Sequence, residues 1–511
     1  MAKKRKYSKK ICIDTPGTDS CKLQSRLFFK EEKELERRHV KFNLQELLKI
    51  AVNACKGVRS GIKVTKCPEG LHNKAFILTM DNGSEVLAKL PNPNAGPAHF
   101  TVASEVATRE LLRHVFNIPV PQIFAWSNDA SANLVKAEYI IEKKAPGIQL
   151  GSAWHQWPRE LKLQLITRVI DLEDKLTSIS FDQHECIYFK DDLRLLTGEA
   201  TELQVQAENV APKALQKYAL GNNEMLWIKS KGASRMNYYR SSQNKELPAD
   251  GLELLKKYMD VAHYLGPSST DESGALNVLW HPELHLDNIF VDPDTHEITS
   301  IIDWQSACVA PLFYQSCIPR LCRHLGPVQE GWKIPQRPDK LENKIDNDLE
   351  SEILHKNYEA QVCKRAPRHW KVLQNRSVPM IRKPVWLVTR VWENRDLFFL
   401  RESLMELVAY WDELFPDVTY PIEFTREDVE MQAKENENIK GIGHMLTMFR
   451  DQAALPVDGM VDPEDYDVAR KNCRKFKDIF VELGKDDEEK ELFRNLWPYQ
   501  ESEAGTSQGS P

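Results

Sequence analysis

Between residues 62 and 90 apolar and polar positions alternate with a period of two, and the alternation breaks at Asp81-Asn82-Gly83. KAFILTM and SEVLAKL flank that break, so the segment predicts a β-hairpin with a tight turn. In the second strand Glu85, Leu87 and Lys89 share one face. The loop PNPNAGP follows, and then TVASEVATRELLRHV, whose apolar positions recur at helical spacing with Thr101 as the expected N-cap. IPVPQIFAW and LVKAEYIIE predict two further strands. KKAPGIQL, with Pro146 and Gly147, predicts a connector.

From about residue 150 the period changes. LKLQLITRVIDLEDKL places apolar residues at 161, 165, 169, 172 and 176, a helical stripe. Strand patterning returns at 286–303, and helical patterning from about 340 to 500. Residues 27–50 also read as mostly helix. The polar tail ESEAGTSQGSP has the composition of a disordered segment.

Composition narrows the picture. The chain has 511 residues and a formal charge of -6, so no global basic field points to nucleic acid. Its ten cysteines form no CxxC pair, which argues against a zinc ribbon or redox motif and for thiols in a reducing compartment. No apolar run approaches the ~18 residues of a membrane span. The first ten residues, MAKKRKYSKK, are strongly basic without an apolar core, so a secretory signal is not expected. A nuclear-type basic cluster, a mitochondrial presequence and a disordered basic tail all fit them.

The chemistry concentrates in LWHPELHLDNIFVDPDTHEITSIIDWQSA. Strands Asn288–Val291 and Ile298–Ile302 flank the turn Asp292-Pro293-Asp294-Thr295, a second hairpin. A hairpin brings its open ends together, so Asp303 can sit beside Asn288 and Glu283. Such oxygen ligands suit magnesium with phosphate oxygens, the arrangement phosphoryl transfer needs. A bland surface hairpin rich in turn residues is the competing reading. A zinc reading of His281 and His285 is weaker, because Pro282 and the following strand argue against a helix there. Upstream, Lys89 ends a strand and is a candidate phosphate cation, or an ordinary edge lysine. Glu105 follows on the next helix, where a kinase-type lysine finds its carboxylate, or where a solvent-facing charge would stand. The loop Cys67–Lys74 can fold over phosphates with its N–H groups, although it holds one glycine, Gly70.

Together these pieces resemble the aminoglycoside phosphotransferase and choline kinase-like superfamily. Its brace motif is a histidine, an Asp two residues on and an Asn seven on, then a strand-borne Ile-Asp. His281, Glu283, Asn288 and Ile302-Asp303 fall on those positions. LERRHVKFN, EGLHNKAFILTMDNG, AKLPNPNAGP, SEVATRELLR, IPVPQIFAWS, AEYIIEKKAPGIQL and HLDNIFVDPDTHEITSIIDWQSACVAPLF bring the resemblance closer to the fungal altered inheritance of mitochondria protein 9 group. It is dense from about 27 to 330 and looser to about 500.

The resemblance implies an α+β, protein-kinase-like two-lobed fold, with a small antiparallel-sheet N-lobe over 27–143 and a large, mainly helical C-lobe over 144–500. Residues 1–26 would be a basic leader or disordered tail, and 501–511 a disordered tail. It further implies ATP and magnesium. Lys89 would contact ATP phosphates and Glu105 would pair with it. Gly70 and Asn73 would belong to the nucleotide loop, and Tyr139–Lys143, with Glu142, would be the hinge beside the adenine. Asn288 and Asp303 would hold magnesium, and Glu283 would orient the acceptor hydroxyl. The group's name favours a mitochondrial presequence, with cytoplasmic or nuclear placement as alternatives.

The sequence departs from the superfamily at Glu283, where Asp is usual. One extra methylene moves the carboxylate by roughly an ångström, and a misplacement of ~1 Å can cost about 10²-fold. The expected activity is therefore an ATP-dependent phosphotransferase on a small-molecule hydroxyl, weakened at this position. The alternative is a pseudokinase scaffold that binds nucleotide and uses its helical lobe for protein partners. A protein kinase fits poorly, since Asp303-Trp304-Gln305 stands where Asp-Phe-Gly would. Trp304 and Trp411 are aromatic residues for either an acceptor pocket or the core.

Overall fold

The Asp81-Asn82-Gly83 turn closes as its residues dictate. Gly83 takes φ 80°, Met80 N–H donates to the Ser84 carbonyl at 2.8 Å, and Asn82 Oδ1 accepts from Ser84 N–H at 2.9 Å. The computed structural model describes residues 12–14, 26–27, 38–67, 72–198, 201–202, 205–206, 217–220, 249–266, 272–324, 344–394, 397–451, 460–461, 465–497 and 499. The chain forms two units, one of Met1–Ala98, Phe124–Lys143 and Thr425–Pro511, the other of His99–Ile123 and Lys144–Phe424.

In the first unit the turn joins two strands of a six-stranded sheet. Its members are β1 (Cys12–Asp14), β2 (Gly61–Lys66), β3 (Asn73–Met80), β4 (Glu85–Pro91), β5 (Ile123–Ser127) and β6 (Tyr139–Lys143), in the order β1-β2-β3-β4-β6-β5. β1 runs parallel to β2, while β2–β3, β3–β4 and β4–β6 are antiparallel. The period-two pattern selects the faces. Val86, Ala88 and Leu90 of β4 and Phe76, Leu78 and Met80 of β3 enter one core, with Leu47, Leu48 and Ala51 of helix α1 (Leu44–Ala54). Each such fully buried aliphatic or aromatic side chain contributes about 1.5–3 kcal/mol relative to exposure. Asn43 caps α1, its Oδ1 accepting from the N–H groups of Gln45 and Glu46 at 3.1 and 3.3 Å.

The second unit is mainly helical. Helix α2 (Phe100–His114) lacks the expected Thr101 cap, because the chain turns into the helix through His99 at φ 68° and Thr101 already lies inside it. Every residue from Val102 to Arg109 is buried, so α2 is a core helix rather than an amphipathic surface one. Helix α3 (Arg159–Thr177) buries Leu165, Val169 and Leu172 as the stripe predicts, and also Glu173. Farther on come α4 (Lys344–Arg365), α5 (Pro367–Leu373), α6 (Ser377–Asn394) and α7 (Phe398–Ala409). Trp304 and Trp411 are core residues, at 0% and 1% exposure, each with its indole N–H bonded to a carbonyl, so neither lines a pocket.

Three short strands carry the second hairpin. β7 (Ile148–Gln149) pairs antiparallel with β9 (Ile289–Val291), which pairs antiparallel with β10 (Ile298–Ile301). Strand β8 (Asn277–Leu279) pairs with β11 (Val309–Pro311) in a neighbouring sheet. Gly147 brings the connector onto the hairpin. Its φ is 87°, and a Cβ there would lie 2.2 Å from the Val291 carbonyl oxygen.

This is the α+β architecture expected from the sequence, an antiparallel-dominated N-terminal sheet followed by helices. Helix α2, grouped above with residues 27–143, falls in the second unit, and residues 425–511 fall in the first. Most of the leader, residues 28–37 and the 501–511 tail lie outside the described residues. Among the described residues no helix is long and apolar enough to cross a membrane.

Candidate active site

The hairpin of the second unit gathers the predicted polar residues at its open end. Ile289 pairs with Ile301, and Ile302 N–H donates to the Asn288 carbonyl at 2.9 Å, which holds Asn288 one residue from Asp303. His281 ties the other strand in. Its Nε2 lies 2.9 Å from the Ile302 carbonyl, and its Nδ1 lies 3.1 Å from Glu283 N–H. A carbonyl only accepts and an N–H only donates, so the ring is the Nε2–H tautomer and neutral. Burial pushes its pKa down to about 4, against smaller raising effects from the Ile302 carbonyl and Asp303. With both nitrogens engaged, His281 is a brace rather than a zinc ligand. No group of three or more His, Cys, Asp or Glu among the described residues is arranged to hold a metal.

Asn288 is buried, at the end of a short 3-10 turn Leu286–Asn288. Its Nδ2 donates to the Glu283 main-chain carbonyl at 2.9 Å and lies 3.2 Å from His285 Nε2. The amide is thereby oriented, and among the described residues Oδ1 carries no hydrogen bond. An oriented amide oxygen next in space to an exposed carboxylate is a donor set that fits a hard cation. Asp303 has φ 62°, the left-handed region that non-glycine residues seldom occupy. Such backbone tends to be held where a side chain must be aimed.

Glu283 is exposed, and its Oε1 is 3.4 Å from Arg320 Nη1. Arg320 was not found from the sequence; it stands 37 positions later, in a 3-10 turn Arg320–Cys322 (320 − 283). Glu105 is buried on α2 in this same unit, with Oε1 3.4 Å from Arg109 Nη1.

The remaining predicted residues belong to the first unit. Lys89 is buried on β4, opposite Ala75 of β3 and Ile140 of β6. Asn73 begins β3, and Tyr139 and Glu142 are buried on β6, where burial pushes the Tyr139 hydroxyl pKa up. The segment read as a hinge is thus a sheet strand that ends where the first unit gives way to the second, at Lys143. Gly70 lies outside the described residues.

Comparison with known proteins adds identity to this geometry. A subtelomeric hrmA-associated cluster protein of Aspergillus fumigatus is 27% identical over 504 residues, covering 86% of this chain and 97% of that protein. The altered inheritance of mitochondria protein 9 of Candida tropicalis is 21% identical over 436 residues, covering 72% of this chain and 68% of that protein. The structure of a Plasmodium vivax ethanolamine kinase aligns at 15% identity with a TM-score of 0.37, covering 70% and 83% of the two chains. Residues 63–315 match the model of the phosphotransferase enzyme family. That span, just under half of the chain, begins within β2 and holds β3 to β11, helix α2 and the hairpin with Glu283, Asn288 and Asp303, and over it the chain is similar to the phosphotransferase enzyme family.

Proposed function

We propose that this protein is an ATP-dependent phosphotransferase acting on a small-molecule hydroxyl. The observation that carries the reading is the Asn288 amide, fixed through Nδ2 so that Oδ1 is the atom left for a cation, on a strand bonded to the one that ends in Asp303. Asn288 and Asp303 would hold magnesium, which neutralises phosphate charge when bound. Lys89 would meet the nucleotide phosphates, with Glu105 as its carboxylate. Gly70 and Asn73 would lie over the phosphates, and Tyr139 and Glu142 beside the adenine. Glu283 would orient the acceptor hydroxyl and take its proton.

Thermal shift with ATP–magnesium on the whole chain tests the binding half. Saturation at about 100 times Kd stabilises by about 2.7 kcal/mol. Lys89→Met and Asp303→Asn should lose that shift. No shift in the unaltered chain refutes the reading. ATP consumption against a panel of hydroxylated metabolites tests the transfer half, where Glu283→Ala should lower turnover by about 10²–10⁴-fold.

The pairing of Glu283 with Arg320 favours a second reading, a pseudokinase that binds nucleotide without transfer. Arg320 engages a Glu283 oxygen that would otherwise receive the acceptor hydroxyl. Nucleotide binding without turnover, with turnover appearing in Glu283→Asp, would decide for it. Mitochondrial placement is proposed with either reading. A fluorescent fusion should lose mitochondrial signal when residues 1–26 are removed, and unchanged targeting would reject the presequence.

A further inference from the structure

The loop after β11 joins Glu283 to a cavity. The cavity has a volume of about 190 Å³ and is lined by Ser316, Cys317 and Arg323 of this loop, Val372 of α5 and Arg382 of α6. Arg320, in the same loop, reaches Glu283 at 3.4 Å. Three residues of chain span at most roughly 11 Å, so Arg323 stands within that reach of Arg320.

Three features of the cavity point to an anion. Arg382 is held in place: Nη1 donates to the carbonyls of Phe313, at 3.4 Å, and Ser316, and the guanidinium lies 4.2 Å from the Trp386 ring centre. Among the described residues no carboxylate pairs with Arg382 or with Arg323, and the two guanidiniums repel each other. Burial pulls the Arg382 pKa down to about 10, with Arg323 adding to the fall against a larger raising effect of Cys317. The third feature is Ser316, which is fully buried with a hydroxyl that has no hydrogen-bond partner among the described residues. A half-buried cation without a counter-charge and a buried hydroxyl without a partner are both costly, and one anion in the cavity would relieve both.

We propose that this cavity is the acceptor's anion subsite, so that the substrate class is a small hydroxylated anion bearing a carboxylate or phosphate. The inference rests on the phosphotransferase reading. The anionic group sits between Arg382 and Arg323 with the Ser316 hydroxyl donating to it, and the substrate hydroxyl lies toward Glu283. In the transfer, the acceptor oxygen bonds to the γ-phosphorus of ATP, the bond to the bridging oxygen breaks to release ADP, and the acceptor proton passes to Glu283 and on to water. Cationic amine acceptors are disfavoured by the same two arginines.

Calorimetric titration of the full chain with inorganic phosphate, and separately with glycerate, reads the subsite directly. One anion should bind per chain. Arg323→Ala, an exposed position that spares the fold, should weaken it about tenfold or more, the loss of a charge-assisted bond. Arg382→Lys should weaken it less than Arg382→Met. Lys89→Met should leave it unchanged, which separates the cavity from nucleotide phosphates. In turnover assays glycerate should outperform glycerol, and Arg323→Ala should raise the acceptor KM with kcat little altered. Absence of anion binding, or binding indifferent to both Arg323→Ala and Arg382→Met, overturns the proposal. ATP–magnesium binding without anion binding defeats this inference alone. Arginine-dependent anion binding without ATP binding leaves the anion site and removes the kinase reading.

Discussion

At the residue scale, three buried groups set opposing pH dependences. His281 and His369 have pKa values pushed down to about 4 and about 3, from an ordinary 6.5, chiefly by burial. The unfolded chain therefore binds the extra protons below about 6.5, and stability falls as pH falls toward 4. Glu173 runs the other way. Burial raises it to about 8 from 4.5, against a lowering effect of the Tyr358 hydroxyl that donates to it at 2.6 Å. The folded chain holds the extra proton, and stability falls as pH rises from about 4.5 to 8. His369 Nδ1 lies 3.7 Å from Glu173, yet a neutral ring beside a protonated carboxyl is not an ion pair at neutral pH. Thermal melting of the unaltered chain should therefore be nearly level from pH 6 to 7, where the two histidines offset Glu173, and decline from pH 7 to 8 by somewhat less than about 1 kcal/mol, and Glu173→Gln should flatten that limb. An identical slope in the variant would refute it. The gathering of Glu283, Asn288 and Asp303 at one end of a hairpin was legible in the sequence, because a hairpin's local period brings its own ends together. Glu173 with His369, and Glu283 with Arg320, were not, because helix packing and a distant loop join them and no local pattern encodes such a meeting.

At the element scale, the strands and the helical stripes were readable because period two and period 3.6 are local properties. The start of α2 was misread because its entry is set by a left-handed His99, which the Thr101 signal does not encode. Gly147 is the more informative glycine, since its missing side chain lets the connector lie against Val291. Gly147→Ala should cost about 2–3 kcal/mol or more, from positive φ plus a clash with main chain that cannot yield. Gly83→Ala also has positive φ but meets nothing within 4 Å, so it should cost only about 1 kcal/mol. Denaturant titration of the two variants checks the order, and equal losses would contradict the close approach.

At the scale of the whole molecule, each unit has its own apolar core, one around Leu78 and Leu90 and another around Leu400 and Leu404. Units with separate cores need not unfold together. Of twelve tryptophans, ten fall within residues 144–424, so tryptophan emission reports mainly on the second unit. Urea unfolding followed by emission and by far-ultraviolet dichroism should therefore give transitions that do not coincide. Leu404→Ala should shift the emission transition by about 2–5 kcal/mol, and Leu78→Ala should leave it nearly in place. Coincident curves in all three proteins would instead mean one cooperative body.

Asp303 lets natural selection be weighed against thermodynamics at a single position. Its left-handed backbone is comfortable for glycine and strained for aspartate. Asp303→Gly should thus give a protein that melts higher than its parent, by up to about 1 kcal/mol, while losing response to ATP–magnesium. A chain chosen only for durability would carry glycine there, and under the proposed function the carboxylate would be kept for the cation at the expense of durability. An Asp303→Gly protein that melts lower would show the carboxylate to be a structural tie instead.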